Sequence, residues 1–184
     1  MLMTEDKQNQ LKKINSAPYM ALATMAICLS RDVSGNQFRH MNETYGILID
    51  YGHIDSVLLK ASIVHDLIED LPGFDHDLII TADKEGMNVY KLVLEVTKKP
   101  NEIKADFLKR IYNEGSRNAR LLKSADRIAN LKDIGLMSNI DFIRNYCQES
   151  ETYVLPISDS VDTDMSTEIK DLIESRRRLL YLFE

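Results

Sequence analysis

Residues 54–70 read IDSVLLKASIVHDLIED, a stretch in which apolar residues recur every three or four positions. This spacing predicts an amphipathic helix, and it places His65 in the apolar stripe with Leu58 and Ala61 rather than toward water. A histidine on an apolar face needs a polar partner. Asp66 follows it directly in the sequence. The stretch therefore predicts a helix that carries an ionisable pair into the interior of the fold.

Two further carboxylates, Glu69 and Asp70, follow one turn later, each four residues after a member of the His65-Asp66 pair. Residues four apart share a helix face, so four ionisable groups crowd one end of this helix. Carboxylates this close repel each other and are costly to desolvate, so a bound cation best explains them. Taken by itself, the pair also fits the alternative of a core histidine satisfied by its neighbours.

The same three- and four-residue spacing runs through most of the chain, and no run of alternating apolar and polar residues predicts a strand. We therefore predict an all-α fold in a single domain over residues 1–184. The predicted helices span residues 19–30, 39–51, 54–70, 87–99, 101–113, 116–133, 138–152 and 164–183. Asp55 and Asn101 are predicted to cap two of them, and residues 158–164 are predicted to form a polar linker.

The composition excludes several classes of protein. The 184 residues include 23 Lys+Arg and 29 Asp+Glu, so the net charge of −6 argues against a nucleic-acid partner. No apolar run reaches the length that a membrane span needs, and the first residues lack the pattern of a signal peptide. Cys28 and Cys147 form no CxxC pair, which is typical of a reducing compartment. We expect a cytoplasmic protein without a membrane partner.

A second group of polar residues lies within two turns of the predicted helix over residues 116–133. Its members are Lys123, Asp126, Arg127 and Asn130. The apolar residues of this helix are predicted to face inward, and Asp126 lies beside them. The helix therefore predicts a carboxylate directed toward the interior, with two cations and an amide close to it.

His40 adds a second imidazole from another predicted helix. Together with His65, Asp66 and Asp126 it would form a mixed nitrogen and oxygen site drawn from three helices. Such ligands suit Mn²⁺ or Fe²⁺ with coordination positions left open. The absence of paired cysteines argues against a closed structural zinc site.

These motifs, in this order, resemble the HD-domain phosphohydrolases. The chain has His40, then HDLIED at 65–70, then KSADRIAN at 123–130. More narrowly, the Glu-Asp after the HD pair and the Ala-Asp-Arg-x-x-Asn run resemble the hydrolase domain of the RelA/SpoT family, including the free-standing small alarmone hydrolases. The resemblance covers about residues 18–155, and its specificity lies in the ordered combination.

The resemblance implies a helical bundle of about eight to ten helices. It implies one Mn²⁺, with Fe²⁺ or another divalent metal as the alternative, held by His40, His65, Asp66 and Asp126. The activity it implies is removal of the 3′-pyrophosphate from guanosine 3′,5′-bis(diphosphate) (ppGpp) or its pentaphosphate form, giving GDP or GTP and pyrophosphate.

The resemblance also implies roles for the residues around the metal. Glu69 and Asp70 would orient the attacking water and manage its proton. Substrate contacts are implied for four residues, Arg31, Lys123, Arg127 and Asn130. For Arg127, bracing of the ligand shell is the favoured role.

Alternative functions remain open at this point. Asp133 stands where related hydrolases commonly have a nucleotide-contacting threonine, so the adenosine analogue of ppGpp is a second candidate substrate. An HD phosphohydrolase acting on a simple nucleotide and a non-catalytic nucleotide sensor are two further interpretations. In each case the expected partner is a small-molecule purine nucleotide, and the sequence does not distinguish a monomer from a homo-oligomer.

Overall fold

The computed structural model describes residues 3–29, 36–134 and 139–181. Within these ranges the chain forms helices joined by turns and contains no strand, which confirms the predicted all-α class. The helices are α1 (Glu5–Lys13), α2 (Ala17–Leu29), α3 (Asn36–Asp50), α4 (Ser56–Val64), α5 (Leu67–Asp70), α6 (Asp77–Ile80), α7 (Gly86–Val96), α8 (Lys104–Glu114), α9 (Arg117–Asp133), α10 (Ile140–Glu149), α11 (Leu155–Asp159) and α12 (Thr163–Leu180). A π-helical turn, Ser150–Val154, connects α10 to α11. In the described part of the chain, no helix is both long and apolar enough to cross a membrane.

The contacts between helices divide the chain into two compact units, Met1–Lys99 and Pro100–Glu184. In the N-terminal unit, α4 packs against α2, α3 and α7. Every α4 residue from Leu58 to Val64 is buried, so this helix forms the centre of the unit. The division into units does not test whether residues 1–184 form a single domain, so the single domain stays a prediction.

The predicted helix over residues 54–70 is in fact two helices. Asp55 caps the first, as predicted, by accepting a hydrogen bond of 2.8 Å from the backbone N–H of Leu58. The first helix ends at Val64, and His65 and Asp66 form a turn before α5 begins. The Nδ1 atom of His65 lies 2.8 Å from the carbonyl oxygen of Ser62. In an unbroken α-helix this oxygen would accept from the backbone N–H of residue 66, so the histidine competes for the acceptor where the helix ends.

Lys60 is a charged residue in the buried stretch of α4, with only 3% of its surface exposed. Its Nζ atom lies 2.6 Å from Oδ2 of Asp83 and 2.5 Å from Oε2 of Glu85, in the turn before α7. The hydroxyl of Tyr19 on α2 donates to Oδ1 of Asp83 over 2.8 Å. These bonds tie α2 and α4 to the start of α7.

The charged network shifts the pKa values of its members. Burial by itself would raise the pKa of Asp83, but hydrogen bonds from Lys60 and Tyr19 outweigh it and lower that pKa. A hydrogen bond from Lys60 likewise lowers the pKa of Glu85. Burial opposes the charge of Lys60, yet the bonds to both carboxylates raise its pKa overall.

In the C-terminal unit, α9 packs against α11 and α12. The α9 helix agrees closely with its prediction, because Ser116 caps it by accepting from the backbone N–H of Ala119 over 3.1 Å. At its other end, the guanidinium of Arg176 on α12 donates to the carbonyl oxygens of Leu131 (2.7 Å) and Lys132 (2.8 Å). Arg176 thus donates to carbonyl oxygens in the last turn of α9.

Two sequence predictions in the remaining segments are wrong. Asn101 does not cap α8, because it adopts a left-handed conformation with φ 64° and the helix begins at Lys104. The predicted linker 158–164 is partly helical, since α11 extends to Asp159 and buries Ser158. The helix predicted over 138–152 is present from Ile140, and it changes from α to π at Ser150. The first helix, α1, was not predicted, because it buries no residue and so lacks an apolar stripe.

Candidate functional site

The N-terminal unit places His65 and Asp66 at the break between α4 and α5. His65 is 7% exposed, and its Nδ1 atom contacts the Ser62 carbonyl oxygen at 2.8 Å. A carbonyl oxygen only accepts hydrogen bonds, so Nδ1 carries the proton. In the neutral ring, Nε2 therefore presents a lone pair, which is the state in which a histidine binds a metal.

Asp66 lies between the two predicted imidazole ligands. Its Oδ1 atom is 3.2 Å from Nε2 of His65, and its Oδ2 atom is 3.5 Å from Nε2 of His40 on α3. The centroids of the two imidazole rings are 5.4 Å apart. The structure thus brings together three of the four predicted ligands within one unit.

The chemistry of these donors fits a divalent cation. The lone pair on Nε2 of His65 and the Asp66 carboxylate oxygen that faces it are both acceptors when the ring is neutral, and two facing acceptors repel. A cation held among them would turn this repulsion into coordination. Imidazole and carboxylate together suit Mn²⁺, Fe²⁺ or a similar metal.

The two carboxylates after the HD pair are exposed and have different partners. The Glu69 Oε2 atom accepts a hydrogen bond of 3.2 Å from the backbone N–H of Lys98, just after α7. Oδ2 of Asp70 accepts from the side-chain amide of Gln37 on α3. Partial desolvation and the negative charge of Asp66 raise the pKa of Asp70, against the Gln37 hydrogen bond, which lowers it. Each carboxylate is therefore fixed by a contact from another element.

Asp126 lies on α9 in the C-terminal unit and is 5% exposed. Its Oδ2 atom is 2.5 Å from Nζ of Lys123, and its Oδ1 atom accepts from the side-chain amide of Asn130 over 2.7 Å. The three residues are spaced three and four apart, so they share one helix face. Lys123 and Asn130, which were predicted to contact substrate, therefore hold Asp126, the fourth predicted ligand, in this structure. That Asp126 joins the histidines as a metal ligand remains a prediction.

Arg127 is directed into the interior of the C-terminal unit and is 1% exposed. Its guanidinium donates to Oε1 of Glu149 over 2.6 Å and to Oγ of Ser150 over 2.8 Å. It also stacks on Tyr146, with Cζ 4.1 Å from the ring centroid. This burial favours the bracing role for Arg127 over direct substrate contact. Arg31 lies outside the described residues.

Sequence reasoning missed the partners that fix these groups. Gln37 precedes His40 by three residues, so the helical spacing that places both on one face was a usable signal. No local pattern connects Arg127 with Glu149 and Ser150, which lie more than twenty residues further along the chain. Such contacts become visible only in the folded structure.

No protein-family model matches this chain, and no curated protein matches its sequence. Its fold does match solved structures. One is a metazoan ortholog of SpoT, a protein that hydrolyses ppGpp and plays a role in starvation responses. The match has a TM-score of 0.73 and covers 89% of this chain and 98% of that chain, at 20% sequence identity. The helical bundle that the HD-domain resemblance implied is thus confirmed, and this chain shares its fold with a SpoT-type ppGpp hydrolase.

Proposed function

We propose that this chain is a metal-dependent nucleotide pyrophosphohydrolase that removes the 3′-pyrophosphate of ppGpp or its pentaphosphate form. The observation that carries the proposal is the Asp66 carboxylate lying between the Nε2 atoms of His40 and His65. The shared fold with a ppGpp-hydrolysing protein supports the substrate. The products would be GDP or GTP and pyrophosphate.

In this proposal His40, His65 and Asp66 hold a divalent cation, with Asp126 from the C-terminal unit as a further ligand. Mn²⁺ is the proposed metal, and Fe²⁺ is the alternative that the same donors suit. When bound, such an ion polarises a phosphoryl oxygen and lowers the pKa of a water molecule. Lys123 and Asn130 keep the Asp126 carboxylate in a fixed orientation through the bonds described above.

The reaction requires a base near the attacking water. Water adds to the phosphorus bonded to the ribose 3′-oxygen, the bond between this phosphorus and the 3′-oxygen breaks, and the 3′-oxygen takes up a proton. Asp70 has a raised pKa, and a carboxyl whose pKa lies closer to neutrality accepts and returns a proton more effectively. We therefore assign proton transfer to Asp70 and orientation of the water to Glu69, which the backbone of Lys98 fixes.

The decisive experiment supplies purified, metal-stripped protein with ppGpp, with and without Mn²⁺, and separates the products by anion-exchange chromatography. We expect GDP and pyrophosphate only when Mn²⁺ is present. A parallel incubation contains a nucleoside 5′-monophosphate or 5′-triphosphate instead of ppGpp. Release of inorganic phosphate or tripolyphosphate there would favour the general phosphohydrolase. Binding of ppGpp without any product would favour the sensor, and a parallel reaction with the adenosine analogue reports the base preference.

A further inference from the structure

We propose that Gln37 is a positioning residue for Asp70, and that its side-chain amide holds the Asp70 carboxylate in the orientation that water activation requires. The inference rests on the function proposed above, in which Asp70 transfers the proton. Gln37 belongs to none of the motifs in the sequence. Its assignment comes from three structural observations.

The first observation is the contact itself. The amide Nε2 of Gln37 donates to Oδ2 of Asp70 and so links α3 to the short helix α5. Gln37 lies one turn before His40 on α3, and Asp70 lies one turn after Asp66. The hydrogen bond therefore joins the element that carries one imidazole to the element that follows the HD pair. Gln37 also lines a cavity of about 10 Å³ with His65 and Asp66.

The second observation concerns the orientation of the amide. Its other polar atom, Oε1, is buried and has no hydrogen-bond partner among the described residues. Rotating the amide by half a turn would place this oxygen against the carboxylate, and two acceptors would then face each other. The bond to Asp70 is thus the interaction that selects the orientation of Gln37. A buried carbonyl oxygen without a hydrogen-bond partner destabilises the fold. Its presence therefore calls for an explanation, and the bond from the other end of the amide to Asp70 supplies one.

The third observation is the charge around Asp70. Its charged neighbours include the carboxylates of Asp66 and Glu69, both of which repel its negative charge, while His65 acts in the opposite direction. A carboxylate repelled from two sides turns away unless a donor retains it. Gln37 supplies such a donor without adding a charge, so it fixes the position of Asp70 and leaves the charge of the metal site unchanged.

The kinetic test substitutes Gln37→Met, which keeps the length of the side chain and removes the donor. Without the donor the Asp70 carboxylate is no longer held in one orientation, so kcat for ppGpp should fall about 10- to 100-fold. The KM for ppGpp and the affinity for Mn²⁺ should stay within about twofold, because Gln37 is assigned no contact with substrate or metal and acts only on the group assigned to proton transfer. Phe38→Met, an exposed neighbour on α3, is the matched control. A raised KM or weaker Mn²⁺ binding with unchanged kcat would overturn the proposal.

A double-mutant cycle with Asp70→Asn tests whether Gln37 acts through Asp70. In the Asp70→Asn background, adding Gln37→Met should cause no further loss of kcat, whereas independent effects would multiply. For thermal unfolding without metal or substrate, Asp70→Ala replaces Asp70→Asn in the four proteins, because an asparagine oxygen still accepts the hydrogen bond from Gln37. If wild-type protein does not hydrolyse ppGpp, the proposed function fails, but a non-additive pair of Tm shifts still supports the contact. Additive Tm shifts would overturn the positioning role whatever the activity.

Discussion

At the scale of single residues, Asp66 is the group around which the proposed site is arranged, because each of its carboxylate oxygens faces a different imidazole. We predict that Asp66→Asn abolishes turnover and weakens Mn²⁺ binding by more than about 100-fold, beyond the loss typical of residues that only orient a ligand. The fold should be retained, because removing this charge takes nothing from the apolar core. Titration calorimetry with Mn²⁺ and circular dichroism measure the two effects.

The control for this substitution is Asp50→Asn, at an exposed carboxylate of α3. It should leave both Mn²⁺ affinity and turnover unchanged. If Asp66→Asn bound Mn²⁺ as well as the wild type does, Asp66 would be removed from the ligand set and the metal mechanism with it.

The two carboxylates after the HD pair allow a second prediction. Asp70→Asn should lower kcat by about 100-fold or more, because it removes the group assigned to proton transfer. Glu69→Gln keeps an acceptor for the backbone N–H of Lys98 and removes only the charge, so it tests the role of this charge without disturbing the loop. For Glu69→Gln we expect a clear loss of kcat for ppGpp and an unchanged Tm. A mild effect of Glu69→Gln would favour the general phosphohydrolase instead.

Arg127 allows bracing and substrate binding to be separated. Arg127→Met leaves the partly exposed Glu149 without its cation and removes the donor to Ser150, and losses of this kind cost about 1–3 kcal/mol. We expect that loss in the free energy of unfolding, measured with urea, while the KM for ppGpp of the remaining folded protein is unchanged. Arg178→Met, at a surface pair with Glu174, should change stability by less than about 0.5 kcal/mol. A raised KM at unchanged stability would instead make Arg127 a substrate contact.

At the scale of elements, the network around Lys60 holds α4 to the turn before α7. Lys60→Met would leave Asp83 and Glu85, which are both partly exposed, without their shared cation, and we expect a loss of about 1–3 kcal/mol in the free energy of unfolding. The exposed Lys91 on α7 provides the control, since Lys91→Met should change stability by less than about 0.5 kcal/mol. Equal urea midpoints for the two variants would contradict a structural role of the network.

Elements with a strong local signal could be predicted from the sequence, and elements decided by distant contacts could not. For α9, the apolar stripe predicted both the type and the approximate bounds, and the Ser116 cap seen in the structure accounts for where the helix begins. The helix over 54–70 was predicted as one unit because its apolar spacing continues through His65, whereas the contact of His65 with the Ser62 carbonyl marks its end. A spacing pattern shows only which residues are apolar. It contains no information on whether a side chain, here His65, takes a backbone carbonyl that would otherwise continue the helix.

At the scale of the whole molecule, stability should depend on pH in a direction that the pKa values determine. Asp83 and Glu85 have lower pKa values in the folded chain. A carboxyl of this kind contributes stability above its unfolded pKa, and this contribution is lost as the pH falls through the folded pKa. Since unfolded carboxyls titrate near about pH 4, the free energy of unfolding should decline below about pH 4.5. Urea denaturation across this range measures the decline.

The Lys60→Met variant provides the internal comparison for this pH dependence. Without the ammonium group the two carboxylates repel each other, so their protonation relieves strain instead of breaking a bond. The variant should therefore lose less stability on acidification than the wild type or Lys91→Met. Parallel curves for all three proteins would assign the acid sensitivity to other carboxyls.

The candidate site was predictable in its composition and not in its surroundings. The order of His40, the HD pair and the Asp126 run indicated a metal-dependent hydrolase, because these residue types suit one kind of ion. Partners such as Glu149 and Ser150, which bind Arg127, come from contacts between residues far apart in the sequence. One chain read without its fold offers no reason to prefer those partners over many others.

The π-helical turn at Ser150–Val154 also constrains insertions and deletions. Its hydrogen bond runs from the backbone N–H of Leu155 to the carbonyl of Ser150, so this turn contains one residue more than an α-helical turn. Each residue rotates a helix by about 100°. Deleting one residue here would preserve a continuous helix but change its rotational phase, so that Ile157 and Ser158, now buried, would point in another direction. The length of this turn thus sets which side of α11 faces the interior, and any natural variation in length should avoid it.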